Sequence, residues 1–487
     1  MGNKAQALVA TFNTVVATSL NVSVASGTYG GTVNLSATLT TTSGGTAVSN
    51  KTISFTLNGG SVGTAITNPS GVATLSSVSL SGISAGIYPA GVGAGFAGDA
   101  SFANSSGAAA LNVNKLTVVV TPGAGQHKTY GQSDPTLTYG FAPALIGGDT
   151  FSGALARDLG ETAGLYNITQ GTLALSSNYT LNFTPGAQFE IKTRPITVTA
   201  DAKTKTYGDP DPMFTFAVGG SGLAAGDTIA SVFSGALTRA IGETVAGSPY
   251  AITQGTLVAN SNYNITSFTP NALTIGPKQL VGSITVYNKE YDGNNSAAIA
   301  TRTLSGVVNG DDVSYVGGTA TFDNKFAGTG KLVTATGLYL SGAQAGNYTV
   351  NSTATTYADI GALGFDGFLP PLGGADSTGG DFANPIRTIK LGSTIPVKFV
   401  AFTNGGVPWL TGIHTIQAIK YSNATTGDDP LIVTATDAAT TGNQFRLTDG
   451  QWHFNMSTKS GFSKGIWKIE ATLEDGTKHY AWVTLKP

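Results

Sequence analysis

Two stretches decide the fold: Lys128-Thr129-Tyr130-Gly131-Gln132-Ser133-Asp134-Pro135 and Lys205-Thr206-Tyr207-Gly208-Asp209-Pro210-Asp211-Pro212. Each opens one copy of an internal repeat, the strongest kind of architectural signal a sequence carries. Downstream, Ser152-Gly153-Ala154-Leu155-Ala156-Arg157 with Gly160-Glu161-Thr162 is matched by Ser234-Gly235-Ala236-Leu237-Thr238-Arg239 with Gly242-Glu243-Thr244. Tyr166-Asn167-Ile168-Thr169-Gln170-Gly171-Thr172-Leu173 is matched by Tyr250-Ala251-Ile252-Thr253-Gln254-Gly255-Thr256-Leu257, and Asn178-Tyr179 by Asn262-Tyr263. The copies close on Phe189-Glu190-Ile191-Lys192 and Leu273-Thr274-Ile275-Gly276. The offset between them rises from 77 residues at the opening to 84 at the Asn-Tyr pair, which predicts short loop insertions in the Gly/Ala-rich middle of the second copy.

Inside a copy every local signal is β. Ile196 to Ala200 has β-branched residues at strand density, and Phe214, Phe216 and Val218 alternate as a half-buried strand does. Tyr-Gly before Asp-Pro is a turn: glycine takes positive φ and proline fixes its own. C-terminal to the repeats, Tyr287-Asn288-Lys289-Glu290-Tyr291-Asp292-Gly293-Asn294, Val308-Asn309-Gly310-Asp311-Asp312-Val313 and Ala345-Gly346-Asn347-Tyr348 punctuate further short strands. N-terminal to them, Val33 to Leu39 and Ile53 to Leu57 alternate between turns at Asn58-Gly59-Gly60 and Asn68-Pro69-Ser70-Gly71. Leu369-Pro370-Pro371-Leu372-Gly373-Gly374 reads as a linker, after which Trp, Lys and His become more frequent.

On these motifs the two copies resemble MBG-type modules, and the segment after them the related YDG module. The N-terminal segment resembles a bacterial immunoglobulin-like repeat, through Tyr29-Gly30-Gly31, the alternating strands and Phe96-Ala97-Gly98-Asp99 with Phe102. The C-terminal segment resembles a β-sandwich domain marked by Pro-x-Lys-Phe, here Pro396-Val397-Lys398-Phe399, followed by Gln451-Trp452-His453-Phe454 and Gly465-Ile466-Trp467. The whole is similar to multidomain bacterial surface proteins and adhesins. The expected architecture is all-β: tandem small β-sandwich and MBG/YDG-type modules in an elongated array. Expected boundaries are a linker or remnant of a preceding module at 1–18, the Ig-like module at 19–114, MBG-type copies at 115–192 and 193–278, the YDG-type module at 279–361, a Pro/Gly-rich linker at 362–384, and the last sandwich at 385–487.

Composition agrees and excludes several function classes. The length of 487 residues fits roughly three to five domains. Charged residues make up 11%, against about a quarter in ordinary soluble domains. Lys+Arg number 25 against 27 Asp+Glu with no basic patch, so nucleic acid is not an expected partner. There is no cysteine, hence no disulfide and no thiolate chemistry. No run reaches the eighteen or so apolar residues of a membrane helix, and Met1 to Thr18 makes a poor signal peptide. The chain is therefore read as a segment of a secreted or cell-surface bacterial protein, its targeting and anchoring signals lying elsewhere.

No catalytic motif is present. The acids gather at turns, where they cap their own backbone. The cofactor expectation is none, with structural calcium the one candidate, on Asp209, Asp211, Asp311 and Asp312. His414, His453 and His479 all fall in the last module and read as strand histidines. Trp467 and Trp482 read as core, whereas Trp409, in the loop Gly405-Gly406-Val407-Pro408-Trp409, is the candidate surface aromatic for a glycan or surface-protein partner. The leading functional expectation is a non-catalytic stalk or spacer. A direct adhesin binding through the last module comes second, and accessory modules beside a catalytic domain third.

Overall fold

The computed structural model describes residues 14–373 and 378–487. Strand accounts for 52% of the chain and helix for 1%, so the protein is all-β. It divides into two compact units: Met1–Ala200 with Phe216–Leu237 and Gln254–Thr269, and Asp201–Thr215 with Thr238–Thr253 and Pro270–Pro487. The second repeat copy contributes one of its two main sheets to each unit.

In the first unit, the N-terminal module pairs Thr18–Val22, Thr32–Thr41 and Val72–Ser79 in one antiparallel sheet. A second sheet runs in the order Ala25–Thr28, Ser105–Asn114, Gly86–Phe96, Thr52–Leu57, Gly60–Ile66. The predicted alternation is what builds the core: Val33, Leu35, Ala37 and Leu39 of one sheet share a cluster with Ile53, Phe55, Leu111 and Val113 of the other. Each such fully buried large side chain contributes roughly 1.5–3 kcal/mol. Residues 1–13 of the expected N-terminal linker lie outside the described residues. Residues 16–18 belong to the first module, since Val16 bridges Phe102 and the buried Thr18 hydroxyl donates to Ala103 O at 2.7 Å.

The first repeat copy sets Leu116–Pro122 between Tyr139–Ala142, antiparallel, and Tyr179–Phe183, parallel. Its second sheet runs His127–Thr129, Gln188–Lys192, Gly164–Thr169, Ala156–Arg157. The second copy reproduces both strand orders. Phe216–Gly220, Arg194–Ala200 and Tyr263–Thr269 lie in the first unit; Lys203–Thr206, Asn271–Gly276, Tyr250–Thr253 and Thr238–Arg239 lie in the second. One expectation is corrected here. Where the first copy reads Asp149-Thr150-Phe151-Ser152, the second reads Asp227-Thr228-Ile229-Ala230-Ser231-Val232-Phe233-Ser234. The four extra residues form a single helical turn, Ile229–Val232, rather than a loop. Thr228 and Ser231 close a capping box on it, and Val232 is buried.

In the second unit, the next module has a five-stranded sheet in the order Lys289–Glu290, Thr353–Gly361, Gly328–Ser341, Ser314–Phe322, Ser296–Ala297. A separate pair is made by Val281–Val286 and Ile299–Ser305. The last module stacks Arg387–Lys390, Lys478–Lys486, Gly465–Thr472, Thr415–Tyr421 and Leu431–Ile432 in one sheet, and Thr394–Phe399, Gln451–Ser457 and Arg446–Thr448 in another. Buried residues of these two modules form one continuous apolar cluster.

The linker expectation at 362–384 also needs correction. Residues 374–377 lie outside the described residues, but the stretch before them is packed. Leu363, Phe368 and Leu372 are buried, Gly364–Phe365 pairs with Ala401–Phe402, and Phe365 stacks on His479 at 4.0 Å. The breakers end regular structure without freeing the segment, because its apolar residues seal the core of the last module.

Candidate functional site: tyrosine–aspartate clamps at module junctions

One local device recurs in every module. A short strand pairs in parallel with the module's last strand: Ala25–Thr28 with Ser105–Asn114, His127–Thr129 with Gln188–Lys192, Lys203–Thr206 with Asn271–Gly276, and Lys289–Glu290 with Thr353–Gly361. Parallel pairing sends both strand ends the same way, so the residue after the short strand emerges where the chain leaves the module. That residue is Tyr29, Tyr130, Tyr207 and Tyr291 in turn. The amides of the first three donate to the carbonyls of Asn114, Lys192 and Gly276 at 2.8–2.9 Å.

The first three tyrosines close on the next module in the same way. Tyr29 Oη donates to Asp149 Oδ2 at 3.0 Å, and Tyr179 Oη donates to the same oxygen at 2.7 Å. Tyr130 and Tyr263 share Asp227 Oδ2 at 3.1 and 2.5 Å. Tyr207 donates to Asp311 Oδ2 at 2.9 Å, and Tyr348 donates to it as well. Each tyrosine pair meets edge-to-face, with ring centroids 5.4, 5.4 and 5.3 Å apart, a favoured aromatic geometry. The hydroxyls of Tyr179, Tyr263 and Tyr348 also accept the amides of Ile146, Ala224 and Val308 at 2.8, 2.8 and 3.0 Å. The asparagine before each of these tyrosines completes the joint. Asn178, Asn262 and Asn347 Oδ1 accept the amides of Ala85, Ala163 and Val245 from the preceding module, all at 2.9 Å.

Glycine after the first tyrosine is required for this contact. Gly30, Gly131 and Gly208 have φ near +73° to +82°, and an added Cβ would come 2.5–2.6 Å from Ile146, Ala224 or Val308. Burial and the neighbouring carboxylate push the phenols of Tyr263 and Tyr348 up to about 12, so both remain hydrogen-bond donors. The first two clamps lie in the first unit and the third in the second.

Beside each of the last two clamp tyrosines sits a charge network. Lys128 contacts Asp134 at 2.6 Å and also Glu161, while Arg157 bridges the same two acids at 2.6 Å each. In the second copy, Lys205 meets Asp211 and Glu243 at 2.7 Å, and Arg239 closes the square. The lysine side chains are only 3% and 4% exposed, so each amine is buried with its charge matched.

The sequence-predicted site residues are largely engaged elsewhere. Asp211 holds Lys205 and Arg239, Asp311 holds two phenols, Asp312 accepts the Ala343 amide at 3.1 Å, and Asp209 sits in the turn after Tyr207. Their oxygens point at cations, hydroxyls and amides, a poor fit to a calcium cage. Among the described residues no group of three or more His, Asp or Glu could hold a metal ion. Trp409 is half-buried: its ring meets Tyr291 edge-on at 5.4 Å, and its Nε1 donates to Glu474 at 3.3 Å. His414 is fully buried; its Nδ1 accepts the Glu474 amide at 3.0 Å, and burial pushes it down to about 4. Trp467 and Trp482 are buried, as expected. The clamp pairs were not anticipated, although Tyr-Gly, Gly-Asp and Asn-Tyr recur at matched places in the sequence.

Residues 118–189 and 196–274 match the MBG domain (YGX type) family, and residues 276–356 match the YDG domain family. The chain carries two MBG domains and one YDG domain. The residues of the second and third clamps fall within these domains, so the third clamp joins the second MBG domain to the YDG domain, while the first clamp reaches the first MBG domain from Tyr29 and Ala85 of the N-terminal module. No curated protein matches the chain. Among solved structures, it is similar to Salmonella alpha-2-macroglobulin: a point mutant at 11% identity and a methylamine-reacted form at 9%, each with a TM-score of 0.17 over 96% of this chain. The chain spans about a quarter (26%) of the length of those chains, and so low a score carries no argument.

Proposed function

We propose that this chain is a non-catalytic spacer segment of a secreted or surface-attached bacterial protein, its clamps restricting how consecutive modules swing. The single observation that carries this reading is the threefold recurrence of the Tyr–Asp–Tyr joint with its asparagine and glycine. A device repeated at successive junctions is selected for the junction, not for a ligand. MBG and YDG are non-catalytic domain types, and no catalytic motif stands in the sequence. An adhesin acting through Trp409 is less supported, because that ring already packs on Tyr291 and bonds Glu474.

The absence of cysteine allows a direct test. Spin labels placed at Thr121 and Ala217, both exposed and both in the first unit, report the distance across the second clamp. A narrow distance distribution that broadens in Asp227→Ala is expected. A distribution already as broad in the unmodified protein would defeat the spacer-with-clamps reading.

A further inference from the structure

The outer face of the YDG domain's five-stranded sheet carries an ordered hydroxyl array. Ser296, Thr321, Thr334 and Thr355 lie directly opposite one another on four consecutive strands. Two residues along, Thr319, Thr336 and Thr353 form a second row. Neighbours within a row are about 4.5–5.5 Å apart at Cβ, and the rows are roughly 7 Å apart.

Aromatic side chains close both ends. Tyr357, 70% exposed, lies opposite the exposed Leu332 at one end, and Tyr339, 58% exposed, lies at the other. Tyr339 sits over a glycine of the neighbouring strand. Gly317, φ +73°, lies so close to its ring that an added Cβ would sit 2.4 Å from Cε1.

Two contrasts separate this face from ordinary β surface. In the same domain, the hydroxyls of Ser283 and Thr303, and of Thr285 and Thr301, bond each other at 2.7 and 2.6 Å. None of the six array threonines uses its hydroxyl on a partner among the described residues. No row position is charged, and the nearby charges are engaged: Lys331 with Asp323 at 3.1 Å, and Asp359 on the Gly330 amide. Arg302, at the Tyr339 end, donates to Gly317 O at 2.8 Å.

We infer that this face binds a neutral polysaccharide chain laid along the strands, with sugar rings on Tyr357 and Tyr339 and sugar hydroxyls on the threonine rows. An uncharged face of open hydroxyls bracketed by flat rings complements a ligand that is itself uncharged, hydroxyl-rich and apolar on its ring faces. The path between the two tyrosines is about 20 Å, room for several sugar residues.

The test is co-sedimentation of the full chain with microcrystalline cellulose, chitin and insoluble starch, with alginate beads as an acidic arm. Retention on at least one neutral polymer is expected, falling at least five-fold in Tyr339→Ala and Tyr357→Ala and lost in the double variant. Thr336→Lys provides a second, surface-only change with the same expected loss, and an unaltered thermal transition shows that each variant is folded. Retention on none of the neutral polymers, retention on alginate alone, or equal retention of the variants would each overturn the inference.

Discussion

Four junction tyrosines occupy the same place in four modules, yet they meet their neighbours in two different ways. Tyr29, Tyr130 and Tyr207 each donate to an aspartate that a second tyrosine also reaches. Tyr291 donates instead to the Glu474 carbonyl at 3.1 Å and packs against Trp409, and the YDG domain merges its core with that of the last module. The first kind of joint is small, polar and directional. The second is broad and apolar, helped by Lys325 on Glu474 at 3.0 Å. Sequence explains the divergence. Glycine follows each of the first three tyrosines, whereas Asp292 follows Tyr291 and the positive φ moves one residue on, to Gly293. In the last module, the equivalent residue after the strand Arg387–Lys390 is Leu391, whose amide bonds Lys486 O at 2.7 Å and whose side chain packs on that module's own core.

If the polar joints depend on one carboxylate, removing it has the largest effect. In Asp227→Ala the buried hydroxyls of Tyr130 and Tyr263 lose their shared acceptor, a cost of roughly 2–3 kcal/mol local to that junction. Hydrogen exchange of the Ala224 and Ala163 amides should accelerate by about the corresponding factor of 30–150, with the core of the first module unchanged. Uniform acceleration, or none, would mean that the clamp is not a separable joint.

Gly131→Ala comes next. It forces an alanine into φ +81° with its Cβ 2.6 Å from the Ala224 Cβ, at a cost of roughly 1–2 kcal/mol from the backbone alone. The same exchange measurement reads it. The equivalent change at Gly293, where an added Cβ meets nothing within 4 Å, should cost only the backbone part.

The fold was largely legible in sequence because it rests on local signals. Alternation such as Val33 to Leu39 fixes a strand's buried face, and the Lys-Thr-Tyr-Gly blocks fix the repeat. The clamps were not legible as contacts: Tyr29 and Asp149 are 120 residues apart, and Tyr-Gly and Gly-Asp each already have a sufficient local explanation as turns. What could have exposed them is recurrence beyond the repeat itself, since Tyr29-Gly30 stands in the first module and Asp311 with Asn347-Tyr348 in the YDG domain. The packed stretch around Phe368 and Leu372 was hidden for the opposite reason. Its prolines and glycines correctly forecast irregular backbone, but irregular backbone can still be buried when its apolar side chains reach a core.

The acid limit should separate the charge networks from the clamps. Asp134, Glu161 and Asp211 are held below the usual carboxyl range, led respectively by hydrogen bonds from Arg157, Lys128 and Arg239. Their folded pKa values lie below the unfolded ones, so their contribution is complete above about pH 4 and is lost as pH falls further. The clamp phenols behave oppositely. Tyr263 and Tyr348 are raised to about 12, so their contribution is complete below about pH 10 and is lost as pH climbs through 12. Acid should therefore loosen the amides around Lys128 and Lys205 before those at Ala224 and Val308, whereas alkali acts on both sets, since the paired acids hold Lys128 and Lys205 above the usual lysine value. A common midpoint for both sets in exchange experiments on acidification would contradict the assignment.

The smallest effect belongs to the fourth tyrosine. Tyr207→Phe removes a hydroxyl from a carboxylate, whose charged hydrogen bond contributes roughly 1.5–3 kcal/mol. Tyr291→Phe removes one from a neutral carbonyl, worth about 1 kcal/mol, and leaves the edge contact with Trp409 in place. Local exchange should thus accelerate more at the third clamp in Tyr207→Phe than at the Glu474 side in Tyr291→Phe, by a factor of several. Equal losses would show that the ring contact, common to both joints, outweighs the acceptor's charge, and the distinction between polar clamp and apolar joint would collapse into one of packing alone.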